Sequence, residues 1–337
     1  MHRFLTLRAV APLLLLSAAA CATASDVSGQ VERLDPAIDA LVPADVRLEK
    51  VVGGLDWCEG PAWRRSGGYL LFSDIPKNTI YRWKEGEGQS VFLRPAGYIR
   101  NDPAGVELGT NGLAFDAQDR LVMADHGNRQ LARLDEANFT RVTLADRYQG
   151  KRLNSPNDLV IHSRGDIYFT DPPYGLRDLN RNPGKELDFN GVYRLSAAGE
   201  LILVTRDLTF PNGIALSPDE RTLYVAVSDQ QNPVIMAYDV APGGEVSGGR
   251  VFFDASPLLR QGKRGVPDGM TVDARGNLFA TGPGGVLVIS PQGKHLGTIV
   301  TGQTTSNAGF GDDGSSLYLT ADMDIIRVRL RTKGIGF

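Results

Sequence analysis

Asn157-Asp-Leu-Val-Ile161 is followed, after four intervening residues, by Asp166-Ile-Tyr-Phe-Thr-Asp171, and this pairing of two short apolar strands recurs along the chain. Glu59-Gly-Pro-Ala-Trp63 precedes Tyr69-Leu-Leu-Phe-Ser-Asp74, and Asn111-Gly-Leu-Ala-Phe115 precedes Arg120-Leu-Val-Met-Ala-Asp125. Further on, Asn212-Gly-Ile-Ala-Leu216 precedes Thr222-Leu-Tyr-Val-Ala-Val227, and Asp268-Gly-Met-Thr-Val272 precedes Asn277-Leu-Phe-Ala-Thr-Gly282. The sixth pair is Asn307-Ala-Gly-Phe-Gly311 with Ser316-Leu-Tyr-Leu-Thr-Ala-Asp322. Openings spaced by 39 to 56 residues in a strand-rich chain predict an all-β fold, a six-bladed β-propeller with one four-stranded blade per repeat. One oxygen-bearing side chain per blade then points at a common axis.

Blade one reads as strands at Pro61–Arg64, Tyr69–Ser73, Thr79–Lys84 and Gln89–Leu93. The last repeat lacks a fourth strand after Ile325–Arg331, while Val46–Val52 is a strand-like run with no sheet of its own. The N-terminal run is therefore expected to complete the sixth blade and close the ring, which covers two sheet edges that would otherwise invite aggregation. The propeller spans 46–331. Residues 25–45 read as a polar lead-in with one short helix, capped by Asp35 and begun by Pro36, and 332–337 as a tail.

Residues 1–24 are a different object. Arg3 and Arg8 precede an apolar run from Ala9 to Ala20, too short to span a bilayer, and Ala22-Thr-Ala24 offers a cleavage site before Ser25. The alternative is lipidation of Cys21, although Ala18 stands where such sites usually carry Leu. Both starts predict an exported protein, periplasmic or secreted, with no membrane span and with a lipid anchor only in the second case. A net charge of −3 and the lack of a basic stripe argue against nucleic acid as a partner. Past Ala24 only Cys58 remains, which excludes an intramolecular disulfide; it reads as a small buried residue beside Glu59.

Asn-Gly and Asp-Gly are ordinarily turn signals. Here the polar residue recurs at one structural position, and Glu59, a poor turn residue, occupies that position in blade one. Glu59 and Asp268 converging with several amides would repel one another without a cation among them. A set of oxygen donors with no His or Cys favours one hard divalent ion, Ca²⁺ before Mg²⁺ or Mn²⁺, over Zn²⁺. Gly309 and Gly311 depart from the apolar register of the other first strands and suggest close backbone approach, which leaves Asn307 the odd member of the ring. In an antiparallel blade the segments after strands two and four lie on the ring's side. Both long insertions, Arg94–Thr110 and Asp171–Asn190, fall in such segments and read as lids or binding loops.

The residues at this point resemble the SMP-30/gluconolactonase/luciferin-regenerating-enzyme family, to which diisopropylfluorophosphatase is related. The resemblance runs from about Val46 to Arg331. It is carried by Glu59-Gly-Pro-Ala-Trp63, Ser155-Pro-Asn-Asp-Leu159, Tyr168-Phe-Thr-Asp-Pro-Pro-Tyr-Gly175, Phe210-Pro-Asn-Gly-Ile214 and Val266-Pro-Asp-Gly-Met270. It implies a six-bladed propeller with a divalent ion, often calcium, in the channel, held by Glu59, Asn157, Asn212 and Asp268. It also implies Asp268 as general base in the hydrolysis of a sugar lactone, with the gluconolactonase branch closest. Gly309 stands where the diisopropylfluorophosphatase branch places a His, which weakens a phosphotriesterase alternative; a non-catalytic propeller binding sugar or protein is the third reading.

Substrate contact is expected from Asn111, His126, Asp171 and Tyr174. His126 ends a second strand on the ring's side and is of a residue type suited to substrate contact, Asp171 opens the long third-blade loop as a rival base, and Tyr174 lies on that loop. Arg100 and Arg177 also sit on the candidate lids. Asp158, a further rival base, directly follows a ligand position and is expected to support the site from outside, because neighbours on a strand face opposite sides. His162, inside a first strand, reads as structural.

Overall fold

The computed structural model describes residues 25–27, 29–98 and 108–337; residues 1–24, read as a leader, lie outside them together with Cys21, while Ser25 lies within. Six antiparallel sheets follow one another along the chain, as the repeats require. Blade one comprises Cys58–Arg64, Tyr69–Asp74, Thr79–Lys84 and Gly88–Leu93, within a few residues of the sequence-based bounds. The later blades open at Leu113–Phe115, Leu159–Ile161, Pro211–Leu216, Met270–Val272 and Thr305–Gly311. Each opening strand packs against the next, and that of blade six packs back on that of blade one.

Closure occurs as the spare strand implied. Leu48–Val52 pairs antiparallel with Asp324–Arg329, for example Lys50 with Ile326, and supplies the fourth strand of blade six. The lead-in is more than a helix, which corrects the reading of 25–45. Ser25–Val27 adds a further strand outside Leu48–Val52, and Gln30–Arg33 pairs with His295–Val300 at the edge of blade five. The signal was weak because one apolar residue per segment, Val27 and Val31, packs against the buried cluster that includes Phe279, Leu296 and Ile299. Pro36–Ala40 forms a 3₁₀ turn with Asp35 accepting from the Ala37 N–H at 2.8 Å, and its Ile38 is buried in the same cluster.

The core lies between blades, where alternate residues of neighbouring sheets interdigitate. Leu71 and Ile80 of blade one meet Leu113, Met123 and Ala132 of blade two in one such layer. The tail is tied down: Thr332 Oγ1 donates to buried Asp273, and the Arg65 guanidinium lies 4.2 Å over the Phe337 ring. No helix among the described residues is long and apolar enough to cross a membrane.

Candidate active site at the propeller axis

Three hydroxyls stitch the ring together. Ser73, Thr170 and Thr281, each near the end of a second strand, donate to the carbonyls of Asn111, Asn212 and Ser306 in the following blade at 2.8, 2.7 and 3.0 Å. The glycines after the opening residues serve close approach and not turns. A Cβ on Gly213 would meet the Asp268 carbonyl at 2.2 Å, and one on Gly309 would meet that of Pro61 at 2.4 Å. Backbones packed this tightly around the axis leave each opening side chain little choice but the channel.

That channel widens into a cavity of about 390 Å³ lined by Glu59, Asn111, Asn157, Asn212 and Asp268. The first four are nearly fully buried, at 4 to 6% exposure, so they form its depth. Trp57, Ile75 and Tyr174 add apolar walls, with Tyr174 stacked on Phe210 at a 5.8 Å centroid distance. Exposed Gln230 and Arg264, with Gln303, form the rim.

The electrostatics of this cavity are unfavourable as the protein alone. Burial raises Glu59 well above the ordinary carboxylate range, and the charges of Asp268 and Asp158 push it further. Glu59 Oε2 accepts from the Gly60 N–H at 3.1 Å and from Asn307 Nδ2 at 3.2 Å. Asn111 Oδ1 is buried without a hydrogen-bond partner among the described residues. Asn212 is oriented: its Nδ2 donates to Ser228 Oγ at 2.9 Å, and Ser228 donates onward to the Pro267 carbonyl, which leaves the Asn212 oxygen for another partner. Crowded carboxylates beside underused amide oxygens are the donor set a hard divalent cation takes. No three His, Cys, Asp or Glu side chains among the described residues are grouped to hold an ion, so one bound here would depend on the amides.

Asp158 and Asn307 make a second layer under the ring. Asn307 Nδ2 lies 3.4 Å from Asp158 Oδ2 as well as near Glu59, and neither Asp158 nor Asn307 lines the cavity. Asp158 thus lies outside the cavity, beneath the ring. The strand starts at Leu159, and Asp158 precedes it where four other repeats carry Gly. Burial raises its carboxyl to about 6.

Asp171 and His126 do not line the cavity, contrary to the expectation of substrate contact. Asp171 is fully buried and accepts from the N–H groups of Asn154 and Ser155, both at 2.8 Å, pinning the segment that leads into Asn157. Asp74 does the same in blade one, accepting from Asp56 and Trp57 ahead of Glu59. The Asp that ends these strands is thus a brace for its own blade's opening residue. Burial raises Asp171 to about 7. His126 is fully buried, with its Cβ beside Gly175. Arg177 is exposed away from the cavity, and Arg100 lies outside the described residues. Cys58 is buried, donates to the carbonyls of Asp322 and Asp324, and is pushed far up by burial; it is not a nucleophile. Gln230, Arg264 and Gln303 were missed, although all three sit in segments that follow a second or fourth strand, where the topology rule pointed.

Residues 57–322 match the family model described as the SMP-30/Gluconolactonase/LRE-like region. The chain belongs to that family. It is 40% identical over 311 residues to a gluconolactonase of Zymomonas mobilis, covering 91% of this chain and 87% of the other. A solved gluconolactonase structure from Xanthomonas campestris superposes with a TM-score of 0.80 at 34% identity, covering 92% of this chain and 98% of that one. A pentonolactonase of Haloferax volcanii is 27% identical over 270 residues, covering 78% and 80%. Membership in the SMP-30/gluconolactonase group agrees with a six-bladed ring whose opening residues, Asn307 excepted, meet at one cavity.

Proposed function

We propose that this protein is a hydrolase of sugar lactones, gluconolactone-like in substrate, with its active site in the axial cavity. The observation that carries the reading is the gathering of Glu59, Asn157, Asn212 and Asp268 in one cavity, in a chain 40% identical to a gluconolactonase. These four would hold one divalent ion, Ca²⁺ first and Mg²⁺, Mn²⁺ or Zn²⁺ after it. What such an ion supplies is Lewis-acid polarisation of a carbonyl and a counter-charge for the oxyanion.

The remaining chemistry belongs to the chain. Asp268 takes the proton from the attacking water; an ordinary Asp, with pKa about 3.9, is a weak base, but a lactone is an activated ester. Asn111, with its unpartnered oxygen, hydrogen-bonds a substrate hydroxyl, and Tyr174 covers one face of the sugar. A basic and apolar leader supports export to the periplasm or beyond, with Ser25 or lipidated Cys21 as the mature start. Intact mass of the fractionated protein tests that, and a mature chain keeping residues 1–20 would reject it.

Hydrolysis of a lactone panel, beside organophosphates and with or without metal, tests the activity. We expect glucono-1,5-lactone to be opened, activity to vanish on rigorous chelation, and calcium to restore it. Failure of the metal-loaded protein to open any lactone overturns the proposal.

A further inference from the structure

A larger cavity, about 930 Å³, lies away from the axis between blades two and three. It is distinct from the axial one: Tyr174 lines the axial cavity, whereas Gly175 and Leu176 line this one. Four arginines face it, Arg129, Arg141, Arg147 and Arg152, against two acids, Asp146 and Glu186. That balance is unusual on a chain whose net charge is −3.

Most of these guanidinium groups are bonded to neutral oxygens, which satisfy N–H groups but do not cancel charge. Arg129 is 8% exposed. Its Nε donates to the carbonyls of Leu153 and Asn154 at 2.8 and 2.9 Å, and its Nη1 to that of Gly184 at 2.9 Å. Its Nη2 has no partner among the described residues. Arg152 Nη2 donates to the Asn128 carbonyl at 3.0 Å, and Arg141 to those of Ala96 and Pro95. The ion pairs present are loose: Arg147 stands 3.8 Å from Glu186 and 4.0 Å from Asp146, and Arg141 stands 3.8 Å from buried Asp125. The cations also crowd one another. Burial lowers the Arg129 pKa, and the charge of Arg152 adds to the effect. A buried guanidinium N–H without an acceptor is costly, and a cluster with excess positive charge is relieved by an anion.

We propose that this cavity binds the phosphate group of a soluble phosphate monoester, with buried Arg129 at its inner end and half-exposed Arg147 and Arg152 nearer solvent. The excess positive charge suits an anion, and planar guanidinium groups match phosphate oxygens better than they match a single carboxylate. The volume exceeds what bare phosphate needs, and Phe139 and Leu176 offer apolar surface for an organic body.

Calorimetric titration at constant ionic strength decides the matter, using glucose 6-phosphate, inorganic phosphate and glucose as probes. The expected result is one site per chain for glucose 6-phosphate, weaker binding of inorganic phosphate and none of glucose. Arg147→Gln and Arg152→Gln should each weaken the ester at least tenfold while thermal unfolding stays close to that of the parent. Arg129 braces three carbonyls, so Arg129→Lys serves as a confirming variant only when it folds, and the other two carry the test. No binding of the ester, equal binding of glucose, or affinity unchanged in both glutamine variants overturns the proposal. Binding confined to vesicles containing phosphatidic acid, with none of the soluble ester, overturns it as well. None of these outcomes depends on lactone hydrolysis.

Discussion

Asn307 Nδ2 reaches Asp158 Oδ2 at 3.4 Å and Glu59 Oε2 at 3.2 Å, so one amide from blade six joins carboxylates of blades three and one. Blades three and six oppose each other in a six-membered ring, which makes this bridge a crossing of the axis. It lies behind the axial cavity, whose lining includes neither Asp158 nor Asn307. Leu159 and Ala308, the residues after Asp158 and Asn307, already line a separate cavity on the far side.

Replacing this amide by a carboxylate should be costly. Asn307→Asp removes both donated bonds and adds a third buried acid, so the ion-free protein should lose about 3–5 kcal/mol, the usual penalty for an uncompensated buried charge. Urea unfolding in chelator, compared with the parent, measures the loss. Excess calcium should recover a larger share of stability in the variant than in the parent, because the added charge is then offset.

Ser228 acts on the ring through Asn212. Ser228→Ala frees the Asn212 amide to rotate, and divalent affinity should fall roughly 10–100-fold, as happens when partners of ligating groups are lost. Excess ion should restore kcat. A kcat that stays low at saturating ion would instead mean that Ser228 touches the substrate.

Asp268→Asn separates ligation from proton transfer. At saturating ion kcat should still fall ~10²–10⁴-fold, the usual worth of general-base assistance. Asn157→Ala should raise the ion requirement and regain much of its rate with excess ion. Full recovery of kcat by Asp268→Asn would reduce Asp268 to a ligand.

Stability of the ion-free protein should fall with rising pH. Asp158 is held at about 6 and Asp171 at about 7, both by burial, and Glu59 is raised in the same direction. In the folded chain these groups keep protons that the unfolded chain, with carboxyl pKa values near ~4, has already released. For Asp158 and Asp171 this stabilisation is fully present below about pH 4 and is lost as pH rises through about 7, and Glu59 contributes in the same direction. Urea midpoints in chelator should be higher at pH 5 than at pH 8. Added calcium should narrow that gap, because it favours the ionised form of Glu59.

Much of this was legible because local rules agreed. Blade one's strands alternate cleanly between Gly and Asn turns, and Leu48–Val52 was recognisable as a strand lacking a partner beside a blade lacking a strand. The edge strands of 25–45 were not legible, since Val31 alone in Gln30–Arg33 marks a buried face. Asp171 was misread for a similar reason. Asp171 looked like a free acid at a loop mouth, but two backbone N–H groups 16 and 17 residues earlier in the chain claim its oxygens.

The sequence by itself determined the number of blades, their order, the strand that closes the ring and the residue of each repeat nearest the axis. These follow from periodicity and from the need of every sheet edge for a partner, both of which are written locally along the chain. Only the tertiary structure decided which polar groups share the cavity and which serve as braces beneath or behind it. That distinction depends on contacts between blades more than a hundred residues apart, such as Asn307 with Asp158, and on burial that leaves one carboxylate facing the cavity while another is consumed by backbone N–H groups.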